Sequence, residues 1–177
     1  MKGNIVLCGF MGCGKTTVGK KTAKLLDLPF CDLDEYIEQK EGMKISEIFA
    51  EFGEEGFRER ETQAVEEIAQ KGGMVVACGG GTALFPQNIE AFHRNGSVIV
   101  LLYVPLVLLQ ERLKNDTQRP LLQKPNRHKV IAELYKQRIS KYRAAADVTL
   151  RAAAPVPVVA KRLIALYEKH LKKQEKN

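Results

Sequence analysis

The chain has 177 residues, enough for one domain with a sizeable core but short for two. Apolar residues make up 45% of it and charged residues 28%, which excludes a disordered or collagenous protein. The longest uncharged apolar run, residues 95–110, contains Gly96 and Pro105 and falls short of the ~20 residues that cross a bilayer. Glycines and Lys15 interrupt the first apolar run too early for a signal peptide, so a cytoplasmic protein without membrane association is expected.

The net charge of +7 is distributed unevenly along the chain. Residues 1–110 carry 11 basic and 15 acidic side chains, whereas residues 111–143 carry 10 basic and 3 acidic ones. We therefore expect a negatively charged ligand to meet the second segment. No helix-turn-helix, zinc-finger or aromatic ribonucleoprotein motif accompanies the positive charge, so nucleic acid is not an expected partner. The four cysteines form no CxxC pair and the three histidines are scattered, so no zinc site is expected.

Short apolar runs alternate with longer helical patterns, which is typical of a parallel α/β sheet. The predicted strands are residues 5–8, 29–31, 74–78, 97–104 and 147–150. The predicted helices are residues 15–26, a charged stretch after residue 31, one opened by Pro86, and residues 106–114, 128–146 and 156–172. Between the last two strands, residues 115–127 hold two prolines and little periodicity, so a long mobile loop that could act as a lid is expected. A single domain spanning residues 1–177 is predicted.

Residues 9–16 read Gly-Phe-Met-Gly-Cys-Gly-Lys-Thr and match the phosphate-loop pattern between a strand and a helix. Glycines let backbone N–H groups approach phosphates, Lys15 is expected to neutralise the β and γ oxygens, and the Thr16 hydroxyl is expected to bind Mg²⁺. The alternative is a glycine-rich turn with a chance lysine, which the spacing and the flanking elements disfavour. The loop at residues 9–17 predicts an ATP site that includes Gly12, Cys13, Gly14, Lys15, Thr16 and Thr17.

Asp32 and Asp34 are the candidate carboxylates for the metal and for the acceptor hydroxyl. Phosphate-loop enzymes usually carry an acidic residue after a neighbouring strand, but the strand at 74–78 is followed by Gly79. The spacing of the two aspartates puts both side chains on one face if the backbone stays extended. An equally open alternative is that Asp34 caps a helix beginning at Glu35 while Asp32 is a solvated turn residue.

Three glycines and three arginines complete the set of candidates. Gly79, Gly80 and Gly81 follow a buried strand, either because backbone N–H groups approach a ligand there or because the turn needs positive φ. Each arginine also has an interpretation without any binding role. Arg58 could form a surface ion pair among glutamates, and Arg138 could lie on a solvated helix face. Arg119 could be an ordinary loop residue before Pro120. The arginines therefore gain meaning only in combination with the other motifs.

Taken in order, these motifs resemble the shikimate kinase family over nearly the whole chain. The residues that carry the resemblance are the phosphate loop, Asp32-x-Asp34, Phe57-Arg58-x-x-Glu61, Gly79-Gly80-Gly81, Arg119-Pro120-Leu121-Leu122 and Arg138. The resemblance implies a three-layer α/β phosphate-loop kinase fold with a five-stranded parallel sheet in the order 2-3-1-4-5, flanking helices and a mobile lid at about 113–126. It also implies magnesium-dependent transfer of the γ-phosphoryl group of ATP to the 3-hydroxyl of shikimate, in aromatic amino acid (chorismate) biosynthesis. Apart from the resemblance, we expect a monomer.

The same resemblance implies a role for each site residue. Asp32 is similar to the family's residue in the magnesium water shell, and Asp34 to the carboxylate that activates the acceptor hydroxyl. Shikimate would bind to the acceptor region at 32–62 and to residues from two later segments. The binding residues would be Asp34, Arg58, Arg138 and the backbone of Gly79, Gly80 and Gly81. Glu61 would orient Arg58. Lys15 and Arg119 would act on the transferring phosphoryl group, and Arg112 and the loop around Pro155 are similar in location to the family's adenine-binding residues.

Other functions stay open at this stage. A gluconate kinase would share the phosphate loop but has less need of two carboxylate-binding arginines. A nucleoside monophosphate kinase would need a base-recognition motif, which is not evident. A nucleotide-binding regulator without catalysis is disfavoured because every identified catalytic position carries a competent residue.

Overall fold

Five parallel strands form the central sheet. The computed structural model describes residues 3–116, 122 and 126–174. Its strands are β1 Ile5–Cys8, β2 Phe30–Asp32, β3 Val75–Ala77, β4 Val98–Tyr103 and β5 Val148–Arg151. They lie in the order β2-β3-β1-β4-β5, and every neighbouring pair is parallel. This topology confirms the predicted fold class.

Helices cover both faces of the sheet. They are α1 Lys15–Leu26, α2 Leu33–Glu41, α3 Ile45–Lys71, α4 Pro86–Arg94, α5 Leu106–Leu113, α6 Arg127–Ala145 and α7 Val156–Gln174. The chain moves in one direction along the sheet from β1 to β2 and in the opposite direction at each later crossover. Because such crossovers are right-handed, α1 lies on the face opposite α2 to α6. The packing of α1 against α7 and of α3 against α4 agrees with this arrangement.

The central strands are apolar throughout their length. Every residue of β1 and β3 is buried, as is β4 up to Leu102, and these strands consist almost entirely of valine, isoleucine, leucine, alanine and cysteine. Parallel strands covered on both faces have this composition because neither face meets water. The edge strands β2 and β5 are partly exposed. Within the described residues, no helix is long and apolar enough to cross a membrane.

A fully buried asparagine joins three elements at the end of the sheet opposite the strand carboxyl ends. The Asn4 side chain donates to the Ile68 carbonyl oxygen at 2.9 Å and accepts from the Met74 backbone N–H at 3.1 Å. The Asn4 backbone N–H donates to the Ser97 hydroxyl at 3.1 Å. These bonds connect the entry to β1 with the end of α3 and with the residues before β3 and β4.

The predicted elements agree with the observed ones to within two residues at nearly every boundary, and β1 and α1 coincide with their predicted ranges. The charged stretch after residue 31 is the main exception, because it forms two helices, α2 and α3. Helix α3 is kinked at Gly53, where φ is 69° and ψ is −172°. Glycine tolerates that conformation at little steric cost, so the two halves of α3 can take different directions.

Candidate active site

The candidate site lies where the carboxyl ends of β1, β2 and β3 meet. The connections that follow the adjacent strands β1 and β3 run over opposite faces of the sheet, and such a switch opens a crevice beyond the strand ends. One cavity at this position is lined by Met11, Gly12, Gly14, Lys15, Thr16, Thr17, Asp32, Asp34, Cys78 and Gly80. The structure thus brings the phosphate loop, both aspartates and Gly80 of the glycine triplet together.

The phosphate loop has the backbone that its glycines predict. Gly9, Gly12 and Gly14 have φ values of 138°, 76° and 97°, which disfavour any residue with a side chain. Gly14 directly precedes α1, whose first turn carries no acidic side chain. The first N–H groups of α1 and the positive end of its dipole are therefore available to an anion.

The Lys15 ammonium lies within the loop that precedes it. Its Nζ donates to the carbonyl oxygens of Gly9 at 2.9 Å and Phe10 at 3.3 Å. Burial by itself would lower the pKa of Lys15, but nearby Cys13, Tyr142 and other ionisable groups outweigh it, so the pKa lies above its ordinary value. Lys15 is therefore a cation at the floor of the cavity.

Asp32 uses its two carboxylate oxygens for different contacts. Oδ2 accepts from the Thr16 hydroxyl at 2.8 Å, and Oδ1 accepts from the Asp34 backbone N–H at 3.2 Å. Asp32 is thus the N-cap of α2, which begins at Leu33. The alternative in which Asp34 caps a helix and Asp32 is solvated is wrong. The backbone also does not stay extended through Asp34, because the helix has already begun there.

The donor set around Thr16 fits magnesium. A hydroxyl and a carboxylate, already in contact, supply the hard oxygen ligands that Mg²⁺ prefers. Magnesium in phosphoryl-transfer enzymes takes few protein ligands and completes its shell with phosphate oxygens and water. Thr16 and Asp32 therefore suit the metal that accompanies a nucleotide.

Asp34 is a carboxyl group with a shifted pKa. Burial, followed by the negative charges of Asp32 and Glu61, raises the pKa of Asp34 from 3.8 to about 6, although Lys15 acts in the opposite direction. A carboxylate whose pKa approaches neutrality binds a proton more readily than an ordinary one. Asp34 is therefore chemically suited to accept a hydroxyl proton in this cavity.

Each glycine of the triplet lies against one polar side chain. A Cβ on Gly79 would lie 2.5 Å from Asp34 Oδ1, and one on Gly81 would lie 2.6 Å from Arg58 Nη1. A Cβ on Gly80 would lie 4.0 Å from Arg138 Nη1. None of the three has positive φ, so that interpretation of the triplet is wrong. The small size of Gly79 and Gly81 leaves room for Asp34 and Arg58.

Arg58 is fixed mainly by a buried carboxylate. Its Nη1 donates to Glu61 Oε2 at 2.8 Å, and Glu61, 1% exposed, also accepts from the Thr82 hydroxyl at 2.7 Å. A second, exposed partner is Glu54, whose Oε1 lies 3.4 Å from Nη2. Arg58 is thus more than a surface ion pair, and the expected contact with Glu61 is present.

Aromatic rings and an unpaired donor complete the surroundings of Arg58. The guanidinium lies 5.0 Å from the Phe57 ring centroid and 4.9 Å from that of Phe85. Its buried Nε has no hydrogen-bond partner among the described residues. A cation held in place with an unused donor is suited to an anionic or hydroxyl-bearing ligand.

Arg138 and Tyr142 approach the glycine triplet from α6. Arg138 is partly buried beside Gly80, so it is not on a fully solvated helix face. Tyr142, one turn later, donates its hydroxyl to the Gly80 carbonyl oxygen at 2.5 Å. Sequence reasoning missed Tyr142 because a tyrosine in a helix is usually a core residue. The signal was its i, i+4 spacing from Arg138.

Arg112 joins the phosphate loop to the loop before α7. Its Nη1 donates to the Gly12 carbonyl oxygen at 3.2 Å and its Nη2 to that of Ala152 at 3.4 Å. Pro155 lies at the end of the same loop, directly before α7. The structure therefore places Arg112 and the 152–155 loop at one edge of the phosphate loop.

Most of the predicted lid, including Arg119 and Pro120, lies outside the described residues. Arg127, which sequence reasoning also missed, contacts described residues of that segment. Arg127 donates to the carbonyl oxygens of Leu122 at 2.9 Å and Leu113 at 3.2 Å. The first residue of α6 therefore joins the end of α5 to buried Leu122.

Comparisons with known proteins point to one family. A sequence profile described as shikimate kinase matches residues 11–168. The shikimate kinase of Thermodesulfovibrio yellowstonii is 44% identical over 167 residues, covering 94% of this chain and 95% of the relative. That of Thiobacillus denitrificans is 47% identical over 150 residues, covering 85% of this chain and 81% of the relative.

Solved structures agree with the sequence relatives. A shikimate kinase from Acinetobacter baumannii in complex with shikimate has a TM-score of 0.87 and 37% identity, covering 96% of this chain and 95% of the other. A gluconokinase from Sinorhizobium meliloti 1021 has a TM-score of 0.59 and 19% identity, covering 97% of each chain, which is a likeness of fold alone.

Proposed function

The chain belongs to the shikimate kinase family, and we propose that it transfers the γ-phosphoryl group of ATP to the 3-hydroxyl of shikimate, giving shikimate 3-phosphate and ADP. The observation that carries this proposal is the common location of Lys15, Asp34 and the glycine triplet, with Arg58 and Arg138 against the same triplet. The crevice offers a phosphate site and a carboxylate for a hydroxyl, and the two guanidinium groups for an anionic acceptor lie against the glycine triplet at its border.

ATP binds through the phosphate loop. The N–H groups of residues 12–17 surround its phosphates, and Lys15 exchanges its contacts with backbone carbonyls for the more strongly accepting phosphate oxygens. Arg112 and the loop ending at Pro155 flank the adenine. This arrangement agrees with the bridge that Arg112 makes between Gly12 and Ala152.

The Thr16 hydroxyl and, through water, Asp32 would hold magnesium. When bound, the ion neutralises charge on the β- and γ-phosphate oxygens. The protein's own contribution is the Asp32 cap of α2, which fixes the carboxylate beside Thr16 before the nucleotide arrives.

Shikimate binds on the opposite side of the crevice. Its carboxylate is received by Arg58 and Arg138, whose forked donors match a carboxylate in bidentate geometry. Glu61 orients Arg58, and the backbone of Gly79, Gly80 and Gly81 approaches the ring without interfering side chains. The buried donor Nε of Arg58 supports a ligand at this position.

Transfer depends on alignment and charge neutralisation, because the transition state of phosphoryl transfer is loose. Asp34 holds the acceptor hydroxyl in line and accepts its proton. Lys15 stabilises the charge on the transferring group, and Arg119 does so from the lid, whose closure excludes water and suppresses ATP hydrolysis. Because the proposed site needs no residue from a second chain, a monomeric enzyme is proposed, and a cytoplasmic location is part of the same proposal.

The proposal is tested by ADP release from magnesium-ATP on addition of shikimate, with gluconate and nucleoside monophosphates assayed in parallel. Stimulation by shikimate alone is the expected result. Stimulation by gluconate or a nucleoside monophosphate, and not by shikimate, would show that the proposed acceptor is wrong. If ATP bound without stimulation by any acceptor, the protein would be a nucleotide-binding regulator.

A further inference from the structure

Tyr142 connects α6 to the glycine triplet across a long stretch of sequence. The side chain is 1% exposed, and its hydroxyl donates to the Gly80 carbonyl oxygen at 2.5 Å, 62 residues away in the chain. Burial raises the pKa of Tyr142, although Lys15 and Arg138 act in the opposite direction, so the hydroxyl keeps the proton that it donates. The bond fixes one carbonyl of the loop against which the acceptor residues lie.

The same phenol also interacts with Arg138. Arg138 lies one helical turn before Tyr142 on the same face of α6, and its positive charge lowers the pKa of the Tyr142 hydroxyl. Arg138 Nη1 lies 4.0 Å from the position of a Cβ on Gly80. A phenol oxygen can donate one hydrogen bond and accept others, so the hydroxyl that donates to Gly80 still has lone pairs that face a positive charge.

An arginine without such a partner would sample many rotamers. Fixing a long side chain costs conformational entropy, and a ligand that must fix it binds more weakly. Arg58 is held by Glu61, whereas Arg138 forms no ion pair with a carboxylate among the described residues. Tyr142 is the neighbour that can hold Arg138 while leaving its positive charge for a ligand.

We infer that Tyr142 is a positioning residue for the acceptor: it holds the Gly80 carbonyl and the Arg138 guanidinium in the arrangement that receives the acceptor's carboxylate. This inference rests on the proposed function, because Arg138 is assigned there to the acceptor. Tyr142 itself touches neither substrate. Its hydroxyl acts on acceptor affinity through Arg138 and Gly80.

The test is the Tyr142→Phe variant, which removes the hydroxyl and keeps the ring. The KM for shikimate is expected to rise about 5- to 30-fold, between the usual effect of losing a neutral hydrogen bond and that of losing a hydrogen bond to a charged group. The kcat and the KM for ATP should stay within about twofold of wild type, because the phosphate loop is unchanged.

The matched control is Tyr135→Phe on the same helix. That hydroxyl also donates to a backbone carbonyl, Val104, at 3.4 Å, and the ring packs edge-on against Phe10. Loss of this hydroxyl should leave the KM for shikimate unchanged. If both variants raised it equally, Tyr142 would be a general structural residue of α6 and the inference would be wrong.

A double-mutant cycle with Arg138→Ala separates positioning from packing. If Tyr142 acts through Arg138, adding Tyr142→Phe to Arg138→Ala should raise the KM for shikimate less than about threefold further. Three outcomes would each overturn the inference. They are additive effects of the two substitutions on the KM for shikimate, an unchanged KM for shikimate in Tyr142→Phe, and an equal impairment of kcat and of the KM for both substrates. Should the phenylalanine variant fail to fold, Tyr142→Met takes its place with the same criteria.

The wild-type assay distinguishes the two levels of the proposal. Absence of shikimate-stimulated ADP release in the wild-type protein would overturn the proposed function. Normal wild-type activity combined with a wild-type KM in Tyr142→Phe would overturn only the role of Tyr142.

Discussion

Asp34 combines two properties that an ordinary surface aspartate lacks. It lies in the cavity beside the phosphate loop, and burial with nearby negative charge raises its pKa from 3.8 to about 6. The proposed role requires the ionised form, because only a carboxylate accepts the hydroxyl proton. The pKa and the role together determine how activity should vary with pH.

We expect kcat/KM for shikimate to fall about tenfold per pH unit as pH drops below about 6, because Asp34 becomes protonated in the free enzyme. Initial rates between pH 5 and 8 measure this profile. The Asp34→Asn variant should lose turnover by roughly 10²- to 10⁴-fold and lose this pH dependence. A wild-type profile that is flat down to pH 5 would contradict the role of Asp34.

The same pKa predicts that Asp34 destabilises the folded protein at neutral pH. Its folded pKa of about 6 lies above the unfolded value of 3.8, so its contribution to stability is greatest below 3.8 and is lost as pH rises through 6. Asp34→Asn should therefore raise the free energy of unfolding at pH 7 by up to about 3 kcal/mol. Urea denaturation measures this change. Glu35→Gln, at an exposed position on the same helix, is the matched control and should change little.

Individual side chains differ in how far the sequence could predict them. Lys15 could be proposed from the local phosphate-loop motif, whereas Asp34 and Arg58 received their roles only from the family resemblance. Tyr142 and Arg127 were not identifiable, because their partners are backbone carbonyls that only the folded chain brings near. The sequence also did not show which aspartate caps the helix: Asp34 was the candidate, but Asp32 caps α2 with one carboxylate oxygen while the other accepts from Thr16.

The loop after β3 should respond differently to substitution at its first and last glycines. A Cβ on Gly79 would collide with the Asp34 carboxylate, and one on Gly81 with the Arg58 guanidinium. Gly79→Ala should therefore mainly lower kcat, whereas Gly81→Ala should mainly raise the KM for shikimate, each by about tenfold or more. Steady-state kinetics of both variants, with ATP saturating, measures the split. Identical defects in the two variants would contradict separate roles for the glycines.

The buried asparagine at the start of β1 should matter for stability but not for catalysis. Asn4→Ala leaves the Met74 N–H without its partner and removes the bond to the Ile68 carbonyl oxygen. The free energy of unfolding should fall by about 1–3 kcal/mol, while KM values stay unchanged. Asn95→Ala is the control, since its side chain makes one local bond to the Ala91 carbonyl oxygen at an exposed position. Equal losses in both variants would contradict the proposed connection between elements.

Secondary-structure elements were predictable where sequence signals are local. The apolar run before the phosphate loop and the lysine that opens the helix delimit β1 and α1, and Pro86 marks the start of α4. The break between α2 and α3 and the kink at Gly53 were missed. Both depend on glycines within a continuous charged pattern, and a glycine inside a helical pattern does not by itself fix a kink.

Across the whole chain, the uneven charge matches the way in which two parts of the sequence contribute to the site. The phosphate loop comes from the N-terminal part, whereas Arg112 and Arg138 come from the basic segment at 111–143. The alternation of strands and helices predicted a parallel sheet, but its order came from the family resemblance, because strand neighbours cannot be read from periodicity. The lid and Arg119 stay predictions.

Steady-state kinetics of Arg138→Ala tests most directly whether the basic helix α6 serves the acceptor. Loss of a charged hydrogen-bonding group should raise the KM for shikimate about 10- to 150-fold. The KM for ATP should stay within about twofold of wild type, because Arg138 lies against Gly80 and not in the phosphate loop. An unchanged KM for shikimate, or a rise confined to the KM for ATP, would contradict the assignment of this side of the crevice to the acceptor.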